Sequence, residues 1–176
     1  MSWINCQVYV PGRPIRDKTL QELWVFKEFM KLSGHVPESA RRISISKTES
    51  PDFCVEIDGE YLHFEIVEAT EGCDQRQWNA EANEGGVRVG PLPAFEPDMV
   101  INQIAQALDR KSKKEYAKWP SCNLIIYLNS RAANDGQLRQ AVAQNIQDHV
   151  FPHNEFDGRA FVFLNSEGGV WLQCGS

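Results

Sequence analysis

Apolar and polar positions change period several times along this chain, and each change marks an element. Leu23, Phe26 and Met30 recur at helical spacing. Thr19 followed by Glu22 gives a capping-box start, and Leu32-Ser33-Gly34 supplies a glycine stop, so a helix is predicted over 20–32. Arg42 to Ser46 then alternates polar and apolar, as a strand does. Phe53–Ile57 and Tyr61–Ala69 are β-rich runs on either side of Asp58-Gly59, a strong hairpin signal. Between Thr70 and Glu96 the periodicity dissolves among Gly and Pro, which reads as a long loop of the kind used for lids and contact surfaces. Pro97 suits the first turn of a second helix, striped by Val100, Ile101, Ile104 and Leu108 and ended by Trp119-Pro120. Asn123–Leu128 is a short buried strand, with a parallel setting open to it. Leu138, Val142, Ile146 and Val150 mark a third helix, and Phe161–Leu164 and Val170–Leu172 are closing strands. The order predicts one α/β domain over 1–176, a mixed central sheet flanked by helices.

The length of 176 residues fits a single domain, and 42% hydrophobic with 24% charged residues excludes global disorder. No run approaches the roughly 18 apolar residues of a membrane span, and the N-terminus lacks the pattern of a secretory signal. Five widely spaced cysteines without a CxxC pair argue against a disulfide framework or a structural zinc site. A reduced, cytoplasmic setting is therefore expected. The net charge of −6 opposes general nucleic-acid binding, but its distribution is uneven. Basic residues gather at Arg41, Arg42 and Lys47 and again from Arg110 to Lys118, while acidic ones gather in the hairpin and the segment after it.

With Asp58 and Gly59 as the two central turn residues, every cross-strand pair sums to 117. Asp52 then stands opposite Glu65, Cys54 opposite His63, and Glu56 opposite Tyr61. Alternation puts Phe53, Val55, Ile57, Leu62, Phe64 and Ile66 together on the other face, and this clean sorting supports the register. Directly opposed residues have Cβ atoms about 4.5–5.5 Å apart. Two carboxylates so placed need a positive charge between them, which a divalent cation supplies. The alternative is a solvated strand face that carries two acids. His63 on the same face reads as a hydrogen-bonded strand histidine before it reads as a base or ligand. No GxSxG, HExxH or P-loop spacing occurs.

The helix, Arg41-Arg42-Ile43-Ser44-Ile45-Ser46, Ser50-Pro51-Asp52-Phe53 and the hairpin ending Phe64-Glu65-Ile66-Val67-Glu68 together resemble the PD-(D/E)xK, or restriction-endonuclease-like, superfamily. The resemblance covers residues 19–130 and rests more on an αβββαβ order of elements than on the short motif. It implies a nuclease-like hydrolase in which Asp52 and Glu65 hold Mg2+ or Mn2+, joined by an acid of the first helix. Glu22 fits that role best and Glu28 second. The metal would polarise a nucleic-acid phosphodiester, DNA above all, and activate water. The family lysine lies two residues after the second acid, where this chain has Val67. Lysines migrate in some members, and the replacements to expect are Lys111 and Lys114 on the helix after the long loop, with Lys47 as a third. Gln103, Arg42 and Lys47 are candidates for contacting substrate, and the family analogy allows a homodimer. A second reading keeps the fold without catalysis: a binding module or immunity-type protein that meets a protein partner. Neither reading involves a membrane.

Overall fold

A computed structural model describes residues 18–70, 97–129, 138–165, 168–173 and 175 of the chain. The long loop expected after the hairpin falls almost wholly outside the described residues. The chain runs α1 (Lys18–Leu32), β1 (Ile43–Lys47), β2 (Phe53–Ile57), β3 (Glu60–Thr70), α2 (Pro97–Ser112), a 3-10 turn (Glu115–Lys118), β4 (Cys122–Asn129), α3 (Leu138–Asp148), β5 (Ala160–Asn165) and β6 (Gly168–Trp171). The fold is α/β, with a mixed six-stranded sheet in the order β1-β2-β3-β4-β5-β6. The β3–β4 and β4–β5 pairs are parallel and the others antiparallel. Both parallel pairings follow a helical crossover, as parallel neighbours require.

The hairpin has the expected register, from Ile57 opposite Glu60 to Phe53 opposite Phe64. Asp58 and Gly59 take φ values of 51° and 95°, the positive angles that a tight two-residue hairpin turn demands. The Asp58 carboxylate also accepts hydrogen bonds from the Arg41 and Arg42 amides, at 2.8 Å from each to Oδ1, and so ties the turn to the entry of β1.

Two cores lie on opposite faces of the sheet. On one, α1 covers Phe53, Val55, Phe64, Ile66, Ile125, Phe161 and Phe163. There Phe26 stacks on Phe53 with ring centroids 4.3 Å apart. On the other, α2, the 3-10 turn and α3 cover Val67, Leu124, Ile126, Leu128, Val162 and Leu164. Strands buried on both faces must be apolar on both, which is why β4 and β5 read as continuous apolar runs.

Three boundaries differ from expectation. First, α1 already includes Lys18 and Thr19, so Thr19 is not its cap. Its buried stripe is Glu22, Val25, Phe26, Glu28 and Phe29, with Leu23 and Met30 at the margin. Second, α2 stops at Ser112, where the Ser112 hydroxyl bonds back to the Leu108 carbonyl at 2.8 Å, and the chain tightens into the 3-10 turn. Third, α3 ends at Asp148, and Val150 lies beyond it in solvent while Phe151 enters the core.

Candidate functional site

Five elements, β1, β2, β3, α1 and α2, bring charged side chains to the end of the sheet where β2 begins. On β2 the odd residues face β3 for hydrogen bonding, because the even ones serve β1: Asp58 N bonds Arg42 O and Thr48 N bonds Asp52 O. The next β3 donor, Ile66 N, would look to the carbonyl of residue 51. It is instead taken by Asp52 Oδ2 at 2.8 Å, while the Thr48 hydroxyl bonds the Pro51 carbonyl. Asp52 is therefore fixed by the backbone of the residue next to Glu65. Both acids are buried, at 8% and 5% exposure.

Lysines surround them. Lys47, at the end of β1, reaches Asp52 Oδ1 at 3.2 Å and Glu22 Oε2 at 2.7 Å, so it bridges β2 to α1. Lys18 lies 3.1 Å from Glu22 Oε1, one helical turn away. On the other side of the sheet Lys111, in the last turn of α2, contacts Glu65 Oε1. Three acids (Glu22, Asp52, Glu65) thus meet three lysines (Lys18, Lys47, Lys111).

Glu65 Oε2 is buried and accepts no hydrogen bond among the described residues. Around it, Tyr116 of the 3-10 turn has its phenol pushed well above the ordinary range, by burial first and then by the Glu65 charge. Cys122 is pushed up to about 12, again by burial and then by Glu65, so it is a protonated core thiol and not a nucleophile. Asp52 acts in the same direction on Lys18, Tyr116 and Cys122, which places both acids in one electrostatic neighbourhood.

The structure joins Glu22, Lys47 and Asp52 in one ion-paired group and Glu65 with Lys111 in another, and links the two through the Ile66 amide, which bonds Asp52 next to Glu65 in the chain. It does not bring in Glu28, which pairs with Lys31 at 2.7 Å. Arg42 lies opposite Asp58 at the turn end of the hairpin, away from the acids. Lys114 is not on the helix at all: it caps the 3-10 turn and is exposed, because α2 ended two residues earlier. Gln103 is buried on α2, about two turns before Lys111, and its Oε1 has no hydrogen-bond partner among the described residues. His63 Nδ1 lies 3.1 Å from Ser121 Oγ, the bland role expected of it. Val67 is packed in the α2-side core, which explains why a lysine has no room to act from that position.

Sequence reasoning missed Lys18 and Tyr116. The spacing of Lys18 to Glu22 was a usable signal. Tyr116 gave none, because a continuous helix would have aimed it elsewhere. The 3-10 turn that aims it is held by Arg159, which donates to the Trp119 carbonyl at 2.7 Å and the Ala117 carbonyl at 3.1 Å, and also to those of Cys122 and Glu155.

Carboxylates suit magnesium or manganese, and the buried Glu65 Oε2, without a hydrogen-bond partner among the described residues, fits a cation there. Among the described residues, no group of three or more His, Cys, Asp or Glu side chains converges on one point, so a metal would use two carboxylates completed by water or phosphate. No described helix is long and apolar enough to cross a membrane. Compared with known proteins, the chain matches no family model, no curated protein and no solved structure.

Proposed function

We propose that this protein is a divalent-metal-dependent nuclease of the PD-(D/E)xK kind, with Asp52 and Glu65 as metal ligands and Lys111 in the role of the family lysine. The observation that carries the reading is the Lys111 ammonium on Glu65, delivered from α2 to the point that Val67 cannot serve. The αβββαβ order of the first six principal elements is consistent with it. Magnesium or manganese bound there would supply Lewis acidity toward a phosphate and lower the pKa of a bound water. Lys111 holds a positive charge where negative charge develops on the phosphate, and its ammonium can orient the attacking water. Asp52, fixed by Ile66 N, keeps one oxygen in a set geometry. Lys47 couples it to Glu22, the helix acid. In this reading nucleic acid is the partner, and the absence of a CxxC pair among five widely spaced cysteines supports a cytoplasmic setting.

A second reading, an inactive binding module that meets a protein, is favoured by one observation. The three lysines already balance the three acids, so the cluster needs no cation to be stable.

The test is titration of Mn2+ or Mg2+ into wild type and Asp52→Asn by calorimetry, with cleavage of plasmid and oligonucleotide followed in parallel. The nuclease reading expects metal binding that Asp52→Asn weakens at least about tenfold and cleavage that Asp52→Asn and Lys111→Met abolish. Identical titrations of wild type and Asp52→Asn would favour the binding module.

A further inference from the structure

The odd side chains of β3 grade from exposed to buried on one face: Tyr61, His63, then Glu65. Across the ladder this face continues through Glu56 and Cys54 to Ser44 and Ser46 of β1, and α2 reaches it at the Glu65 end, through Lys111. It leads directly to the acid pair. Tyr61 is 56% exposed and Trp119 is 40% exposed, both high for large aromatic rings. Trp119 stands at the edge of this face, its ring 5.4 Å from that of His63 in an edge-to-face contact. Successive residues on one face of a strand are about 7 Å apart, so Tyr61, His63 and Glu65 form a row of evenly spaced positions.

Positive charge borders the row on one side. Lys114 caps the start of the 3-10 turn and Lys118 is its last residue, directly before Trp119. Both are exposed, and neither makes an ion pair among the described residues. Negative charge sits on the other side: Glu56 accepts a hydrogen bond from Ser44 Oγ at 3.1 Å. A polyanion would therefore run its phosphates along the Lys114–Lys118 edge and turn its bases toward the rings.

We propose that the row Tyr61, His63 and Trp119 is a base-stacking platform that feeds a single-stranded nucleic acid to the Asp52–Glu65 centre. The inference rests on the nuclease reading for what happens at that centre. Base-paired duplex hides its base faces, so rings standing out of a sheet gain little from it. An unpaired strand offers every base to an aromatic surface, and sheet-borne aromatics beside a basic edge are a recurrent way of holding one. DNA and RNA strands share this chemistry.

The test is fluorescence anisotropy of a short labelled DNA strand, the same sequence as RNA, and the corresponding DNA duplex. It uses EDTA to prevent cleavage and moderate salt, because salt screens the lysine contribution. Wild type should bind at least one of the two strands more tightly than the duplex. Trp119→Ala and Tyr61→Ala should each weaken strand binding at least about fivefold while the duplex changes little, and Trp119→Phe should retain most of the affinity. Circular dichroism melts confirm that the variants fold. Duplex bound as tightly as either strand, or strand binding unmoved by both alanine variants, overturns the platform. Metal binding through Asp52 is measured separately. Its loss with ring-dependent strand binding intact would refute the nuclease reading alone, and the converse would refute the platform alone.

Discussion

Replacing Lys111 by methionine keeps much of the side chain's bulk and removes its charge, which isolates the ion pair with Glu65. Glu65 has a side chain only 7% exposed, and that of Lys111 is 21% exposed. Removing one partner of a fully buried pair costs about 3–5 kcal/mol, whereas an exposed pair contributes about 0–1 kcal/mol. Lys111 keeps a fifth of its surface in water, so Lys111→Met should cost about 2–3 kcal/mol. For a chain of this size each kcal/mol moves Tm by about 2–4 °C, giving a drop of about 4–12 °C. The assay is urea and thermal denaturation of Lys111→Met, Glu65→Gln and the double variant in EDTA. The double variant should lose clearly less than the sum of the singles, because without Lys111 the buried carboxylate is the burden. Divalent cation should then act oppositely to the mutation. At about a hundred times its dissociation constant a ligand adds about 2.7 kcal/mol, enough to restore the loss, so manganese should raise the Tm of Lys111→Met more than that of wild type. Additive single and double variants, with a Tm shift under about 2 °C, would refute the claim that Lys111 is the counter-charge of Glu65.

Two further predictions concern the frame around the site. His35 is half-buried against Phe29, Phe64 and Trp171, and burial lowers its pKa from the ordinary 6.5. The unfolded chain therefore takes up the proton first, and the stability this neutral ring contributes is complete above about pH 6.5 and declines as pH falls below it. His35→Phe should flatten the fall in urea midpoint between pH 7.5 and 5.5, and an unchanged slope would remove His35 as its cause. At Gly169 an added Cβ would lie 2.3 Å from Phe161 Cζ and 2.6 Å from the Val162 carbonyl oxygen. Gly169→Ala should cost about 1–3 kcal/mol in denaturation, whereas a neutral result would mean that β6 can shift away.

Much of the frame was legible because its signals are local. Asp58-Gly59 fixes the turn, the turn fixes the register, and the register sets Asp52 beside the backbone of Glu65 and Ile66. The stripe of Val100, Ile101, Ile104 and Leu108 was equally plain, because these residues recur at the helical period. What stayed hidden depends on distance in sequence. The arm of the Lys47 bridge that reaches Glu22 joins residues 25 apart, and its geometry exists only once α1 has packed on the sheet. The stop of α2 at Ser112 depends on the 3-10 turn that Arg159 holds through main-chain carbonyls, and no periodicity announces it. That stop separated Lys114 from Lys111, two residues that looked equivalent along the helix.

Where acid and amine share one strand, their spacing is settled as soon as the strand forms. Here the amine rides on α2 and the acid on β3, joined across 46 positions of sequence, so their meeting reports on how well the helix layer is seated. Gentle loosening of that layer should silence the charge pair before the sheet itself comes apart. The Lys111–Glu65 contact becomes the first property lost and the last regained as the molecule breathes.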